Sequence, residues 1–193
     1  MKIRRFLFSL AIVGLYCYGC TGPDVKTDFD PAADFTKFKT FAFTGLTDMN
    51  RGGVFDNSLT RTRIESTVAR ELNRKRLQQV QLEQHPDLLV HYWVGVKDKQ
   101  RVQSTGPTAG AYGRRGGYGW GAGYSGVSTY EYKEGTLIID LVQPAKKELV
   151  WRATIVADLE DTAQENTELG RKAIAKAFEN YPPKKPNSPN LTE

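Results

Sequence analysis

The chain has 193 residues, 39% of them apolar, 25% charged and 11% aromatic, with 18 glycines and two cysteines. These are the proportions of one globular domain, and they exclude a disordered chain, a collagen, a multi-span membrane protein and a disulfide-stapled miniprotein. A formal charge of +5 and a pI near 9.1 raise nucleic acid as a partner, until the positions of the charges are considered. Lys2, Arg4 and Arg5 open the chain, and Phe6 to Gly19 follows without a charge, rich in Leu, Ile, Val and Phe. That is the layout of a secretory signal peptide. A spanning helix needs about 18 to 20 apolar residues, and a polar stretch from Thr21 ends this run first. A buried N-terminal helix would show an amphipathic stripe, which the run lacks.

The run closes on Cys17-Tyr18-Gly19-Cys20. With the small Gly19 directly before the closing cysteine, it resembles the lipobox of bacterial lipoproteins, although Cys17 stands where that pattern usually has Leu. The resemblance implies that the Cys20 thiol receives a diacylglycerol, that a peptidase removes residues 1–19, and that the new amino group is acylated, palmitate being the expected label. Residues 20–25 would then be a tether. Ordinary signal cleavage at the same bond, giving a soluble secreted protein, is the alternative. A C-x-x-C redox or metal pair would lie inside a targeting segment, with no other cysteine to complete a zinc site. Two or three acyl chains hold a protein to a bilayer for long times, since each buried methylene contributes about 0.8 kcal/mol. Thr21 stands where enterobacterial lipoproteins retained in the inner membrane carry Asp, so the resemblance implies the outer membrane, with the domain facing the periplasm.

After the tether, Val25 to Phe29 and Lys39 to Phe43 are short β-prone runs separated by Asp30-Pro31-Ala32-Ala33-Asp34. Ser58 to Arg76 carries Ile64, Val68 and Leu72 at one-stripe helix spacing, with cap oxygens at Asp56, Asn57 and Ser58. Arg70, Arg74, Lys75 and Arg76 suit the C-terminal end of the helix dipole, which explains them without an anionic-lipid or nucleic-acid patch. Asp87 to Lys97 is apolar at both parities, Leu88, Val90, Tyr92, Val94 and Val96 against Leu89, His91, Trp93 and Gly95, as in a central strand covered on both faces. Thr136 to Val142 and Glu148 to Asp158 alternate around the polar turn Pro144 to Lys147 and predict a β-hairpin. Thr162 with Glu165 forms a capping box for a second helix carrying Leu169, Ala173, Ile174, Ala177 and Phe178, which Pro182 and Pro183 stop. Residues 184–193 read as a disordered tail. The order β-β-α-β-β-β-α over residues 26–183 predicts one α+β domain, with both helices packed on one face of a mostly antiparallel sheet.

The segment 104–128 holds nine of the 18 glycines, interleaved with Tyr112, Arg114, Arg115, Tyr118, Trp120 and Tyr124. It matches neither a P-loop nor a dinucleotide fingerprint. It reads as a flexible hairpin loop, as a membrane-interface or envelope-protein contact with Tyr and Trp as amphipathic anchors, or as an Arg-Gly-like single-stranded nucleic-acid segment. The last is disfavoured by two arginines and a secreted context.

No G-x-S-x-G, H-E-x-x-H or S-x-x-K pattern is present, and no cofactor or metal site is expected. His85 precedes Pro86 in a turn and His91 sits in a strand, so both read as structural or surface residues. Carboxylates among Asp140, Asp158 and Asp161 leave a periplasmic hydrolase as the alternative function.

The stretch Asp28 to Phe35, Lys39 to Phe43, Pro86 to Val90, Glu134 to Asp140 and Leu149 to Arg152 together resemble the bacterial lipoprotein family catalogued as domain of unknown function 4136, from about Val25 to Pro183. The resemblance implies an envelope lipoprotein with a Gly- and aromatic-rich insert, and it brings no catalytic residues. The expectation is a lipid-anchored, non-catalytic structural or binding module. Lys2, Arg4 and Arg5 belong to the segment expected to be removed, so most of the basic excess is a targeting signal and no nucleic-acid partner is expected.

Overall fold

A computed structural model describes residues 22–44, 57–104 and 127–184. The elements in chain order are β1 (Asp24–Phe29), β2 (Thr40–Phe43), α1 (Ser58–Arg74), β3 (Gln78–Gln79), β4 (Leu88–Ser104), β5 (Val127–Gln143), β6 (Glu148–Asp158) and α2 (Ala163–Phe178). One six-stranded sheet has the order β1-β6-β5-β4-β2-β3. The pairs β1/β6, β6/β5 and β5/β4 are antiparallel, and β2 runs parallel to both β4 and β3. Parallel neighbours cannot be joined by a tight turn, and α1 supplies the crossover between β2 and β3. The expected α+β class holds, with a sheet that is mostly but not wholly antiparallel.

The helix signals act where the sequence places them. Asn57 Oδ1 accepts from the Thr60 amide at 2.9 Å and caps α1. Thr162 Oγ1 accepts from the Glu165 amide at 3.2 Å and donates to Glu165 Oε2 at 2.6 Å, capping α2. At the end of α1, Arg74 pairs with the buried Glu71 at 2.9 Å and the Lys75 ammonium donates to the Glu179 carbonyl at 3.0 Å. Those basic residues are therefore structural, and Arg76 at φ 70° turns the chain into β3.

The core lies between the helices and one sheet face. Leu88, Val90 and Tyr92 of β4, Ile139 and Leu141 of β5, and Trp151, Ala153 and Ile155 of β6 meet Val68 and Leu72 of α1 and Ala173, Ile174, Ala177 and Phe178 of α2. A side-chain period of two fixes this register, since a one-residue slip would turn every inward residue outward.

Three expectations need correction. The expected order β-β-α-β-β-β-α lacks β3, whose two exposed glutamines carry no apolar pattern and join the sheet by pairing with β2. The second face of β4 is not covered: Leu89, His91, Trp93 and Gly95 are half-buried, because both helices use the other face and no described element packs here. Strands β4 and β5 also run further than the predicted ends at Lys97 and Thr136. They stay paired from Leu89–Val142 out to Ser104–Val127. The extension has no core beneath it, so its residues are mostly polar at both parities and give no apolar alternation to read.

Candidate functional site

Cys20 and the insert residues Tyr112, Arg114, Arg115, Tyr118, Trp120 and Tyr124 lie outside the described residues. What the structure does place is their setting. Residue 22 leads directly into β1, and the insert joins the paired ends of β4 and β5 at the tip of a long two-stranded ribbon.

Asp140 does not converge with Asp158 and Asp161, which line one cleft together. Asp140 stands opposite Arg152 in the β5/β6 ladder and accepts two hydrogen bonds from its guanidinium, both at 2.6 Å. The Asp140 side chain is 7% exposed, and the hydrogen bond to it raises the Arg152 pKa. Arg152 also lies over the Trp93 ring at 5.6 Å, and His91, opposite Asp140 on β4, has Nδ1 3.0 Å from Thr44 Oγ1. Asp158 stands opposite Glu134, about 20 Å along β5 from Asp140 at ~3.3 Å per residue. It is half-exposed and pairs with Arg101 at 3.1 Å, which raises the Arg101 pKa. Asp161 is exposed between β6 and α2. Two carboxyls acting on one bond stand roughly 5 to 10 Å apart, so Asp140 and Asp158 make no such pair.

Elsewhere, His85 is exposed with φ 52° before Pro86. Among the described residues, no group of three or more His, Cys, Asp or Glu side chains could hold a metal ion. No described helix is long and apolar enough to cross a membrane.

One concave feature among the described residues was not foreseen from the sequence. Burial in each helix is confined to its C-terminal half, at Thr67, Val68, Glu71 and Leu72 in α1 and at Ala173, Ile174, Ala177 and Phe178 in α2. The N-terminal halves flank a cleft of about 1080 Å³. Val94, Val96, Leu137 and Ile155 form its floor, and Leu59, Ile64 and Leu169 its helical walls. Leu159 closes one side, held by its amide donating to the Lys133 carbonyl at 2.7 Å. Gly135 makes room for that contact, since a Cβ there would meet Leu159 Cδ2 at 2.8 Å. The rim carries Arg63, Arg101, Lys133 and Arg171 against Glu131, Asp158, Glu160 and Asp161, so neither sign dominates. The cleft has the size and apolar lining of ligand sites, and it offers shape and apolar surface rather than a nucleophile beside a base. The only sequence signal was ambiguous: Val94, Val96 and Leu137 continue the same alternation as the core residues before them.

No curated protein matches the chain. Among solved structures, a DUF4136 family protein from Bacteroides thetaiotaomicron is similar at a TM-score of 0.51 and 17% identity, over 83% of this chain and 96% of that one. A PDZ domain protein from Parabacteroides distasonis is similar at 0.53 and 17%, over 84% of this chain, which spans 37% of that longer protein. PelC from Paraburkholderia phytofirmans, solved as a dodecamer, gives 0.47 and 11%, over 81% and 95%. For the first two, the likeness at these identities is one of fold. The family described as a domain of unknown function, DUF4136, matches residues 25–183, nearly all of the folded region, and the chain therefore belongs to the DUF4136 family.

Proposed function

We propose that the protein is a lipid-anchored module of the bacterial cell envelope, held through Cys20 to the outer membrane, facing the periplasm and acting by binding or scaffolding rather than by catalysis. The observation that carries this reading is the uncharged run Phe6 to Gly19 ending at Gly19-Cys20, four residues before β1 begins at Asp24. The open apolar cleft supports the binding part. The alternative of a hydrolase working through Asp140, Asp158 and Asp161 loses Asp140, which is committed to Arg152 away from the cleft, and keeps only Asp158, paired with Arg101, and Asp161 at the cleft rim.

The anchor is tested by growing cells on radiolabelled palmitate. Label is expected in the wild-type protein and absent from Cys20→Ala, which should also leave the membrane fraction. Equal labelling of both proteins, or of neither, would overturn the anchor.

A further inference from the structure

We infer that the β4–β5 ribbon is the membrane-contacting surface of the domain, and that its partner is the lipid headgroup region. The inference rests on the lipid anchor proposed above. Asp24, where the chain enters the fold, stands opposite Val156, which stands opposite Thr136, which stands opposite Gly95. Gly95 therefore marks the level of entry. Beyond it β4 continues to Ser104, about 30 Å at ~3.3 Å per residue, in the direction from which the tether arrives. The last residue of β6, Asp158, pairs with Glu134, so from Asp98 and Lys133 outward the two strands pair only with each other.

The tether is short by comparison. Cys20 to Asp24 spans at most about 14 Å when fully extended. Sheet twist of about 20 to 25° per neighbouring strand turns β5 by about 40 to 50° and β4 by about 60 to 75° from the axis of β1, leaving projections along it of roughly 20 Å and about 8 to 15 Å. With that pole towards the lipid, the ribbon projects about as far as the tether can reach, and the end of β5 meets the bilayer before the tether is taut.

The ribbon is built for that depth. Val102 and Tyr130 are 64% and 52% exposed, on an extension that has no core to fill. Arg101 lies 4.7 Å over the Tyr132 ring, Lys97 and Lys133 are exposed, and Glu134 pairs with Lys99 at 3.4 Å. Aromatic rings with polar tips beside cations suit the headgroup layer.

The test uses the full, processed protein in vesicles of phosphatidylethanolamine and phosphatidylglycerol. Single variants Val102→Cys and Tyr130→Cys carry a polarity-sensitive fluorophore, with Lys146→Cys in the β5–β6 turn at the opposite pole as the control. All three positions are exposed, so labelling leaves the core intact. Labels at 102 and 130 are expected to shift to the blue and lose intensity with brominated lipids, while the label at 146 stays water-like. Water-like emission at 102 and 130 in protein whose N-terminal peptide has the mass of lipidated Cys20 would overturn the ribbon inference and leave the anchor standing. An unmodified Cys20 in that peptide would overturn the anchor instead.

Discussion

At the end of the sheet where the helices finish, Phe178 stacks on Trp151 at 4.7 Å, and Tyr181 meets both rings edge-on at 5.8 and 5.6 Å, with Phe35 packed against Tyr181. At the end where the helices start, the same strands leave Val94, Val96 and Leu137 facing a cleft. Val90 is fully buried and Val96 is 37% exposed, although they share one strand and one parity. The difference lies in what covers them. Aromatic rings and the C-terminal halves of α1 and α2 fill one pole, and the other keeps apolar surface available.

Four measurements probe this contrast. Phe178→Ala should cost about 3 to 5 kcal/mol in urea unfolding, because it removes a fully buried ring from the packed pole. Leu59→Ala at the cleft or Val102→Ala on the ribbon should stay within about 0.5 kcal/mol. A similar cost at both poles would show that the cleft is filled in solution.

Arg152→Met should cost about 2 to 3 kcal/mol, since it strands a carboxylate that water barely reaches. Asp140→Asn should cost only about 1 kcal/mol, because the half-exposed guanidinium can turn to solvent. Equal costs would mean that Asp140 is hydrated after all.

Asp87 sits at the packed pole. Burial works against its charged form, but the Lys39 and Thr40 amides and the Thr40 hydroxyl donate to it at 2.8, 3.0 and 3.0 Å and hold its pKa below the ordinary 3.8. Its contribution is therefore full above that ordinary value and is lost as the pH falls through the lowered folded-state value. Asp87→Ala should cost about 1 to 2 kcal/mol near neutrality, and the gap from wild type should close in strong acid. A gap that does not change with pH would remove the carboxylate as its source.

The one expected gain in stability belongs to the open pole. A Cβ on Gly170 of α2 would meet nothing within 4 Å. Gly170→Ala should thus stabilise the protein by about 0.5 to 1 kcal/mol through helix propensity alone, read as a raised melting temperature. A loss of stability would place an occupant in the cleft.

Much of this architecture was legible in the residues. The stripe Ile64, Val68 and Leu72, the caps at Asn57 and Thr162, and the alternation through Leu137, Ile139 and Leu141 each report a local preference that the fold keeps. The outer half of the ribbon was not legible, because pairing at Lys99–Tyr132 or Arg101–Tyr130 uses backbone groups and leaves no hydrophobic period. The Asp140–Arg152 pair was hidden for a different reason. It depends on the cross-strand register of β5 and β6, which a linear reading does not contain. The cleft was hidden because its floor has the same alternation as the core.

The sequence by itself determined the order of the elements other than β3, the alternation of β5 and β6 and the two helix stripes, since these follow from propensity, caps and periodicity along the chain. The α+β class and the expectation of an envelope anchor also came from the linear sequence. Only the tertiary structure decided that β2 runs parallel to β4, that no described element covers one face of the sheet, that Asp140 is matched by Arg152, and that the described helices leave the apolar strand ends uncovered. Those outcomes depend on how far each helix reaches across the sheet and on which residues the ladder sets opposite one another, and both are properties of packing in three dimensions.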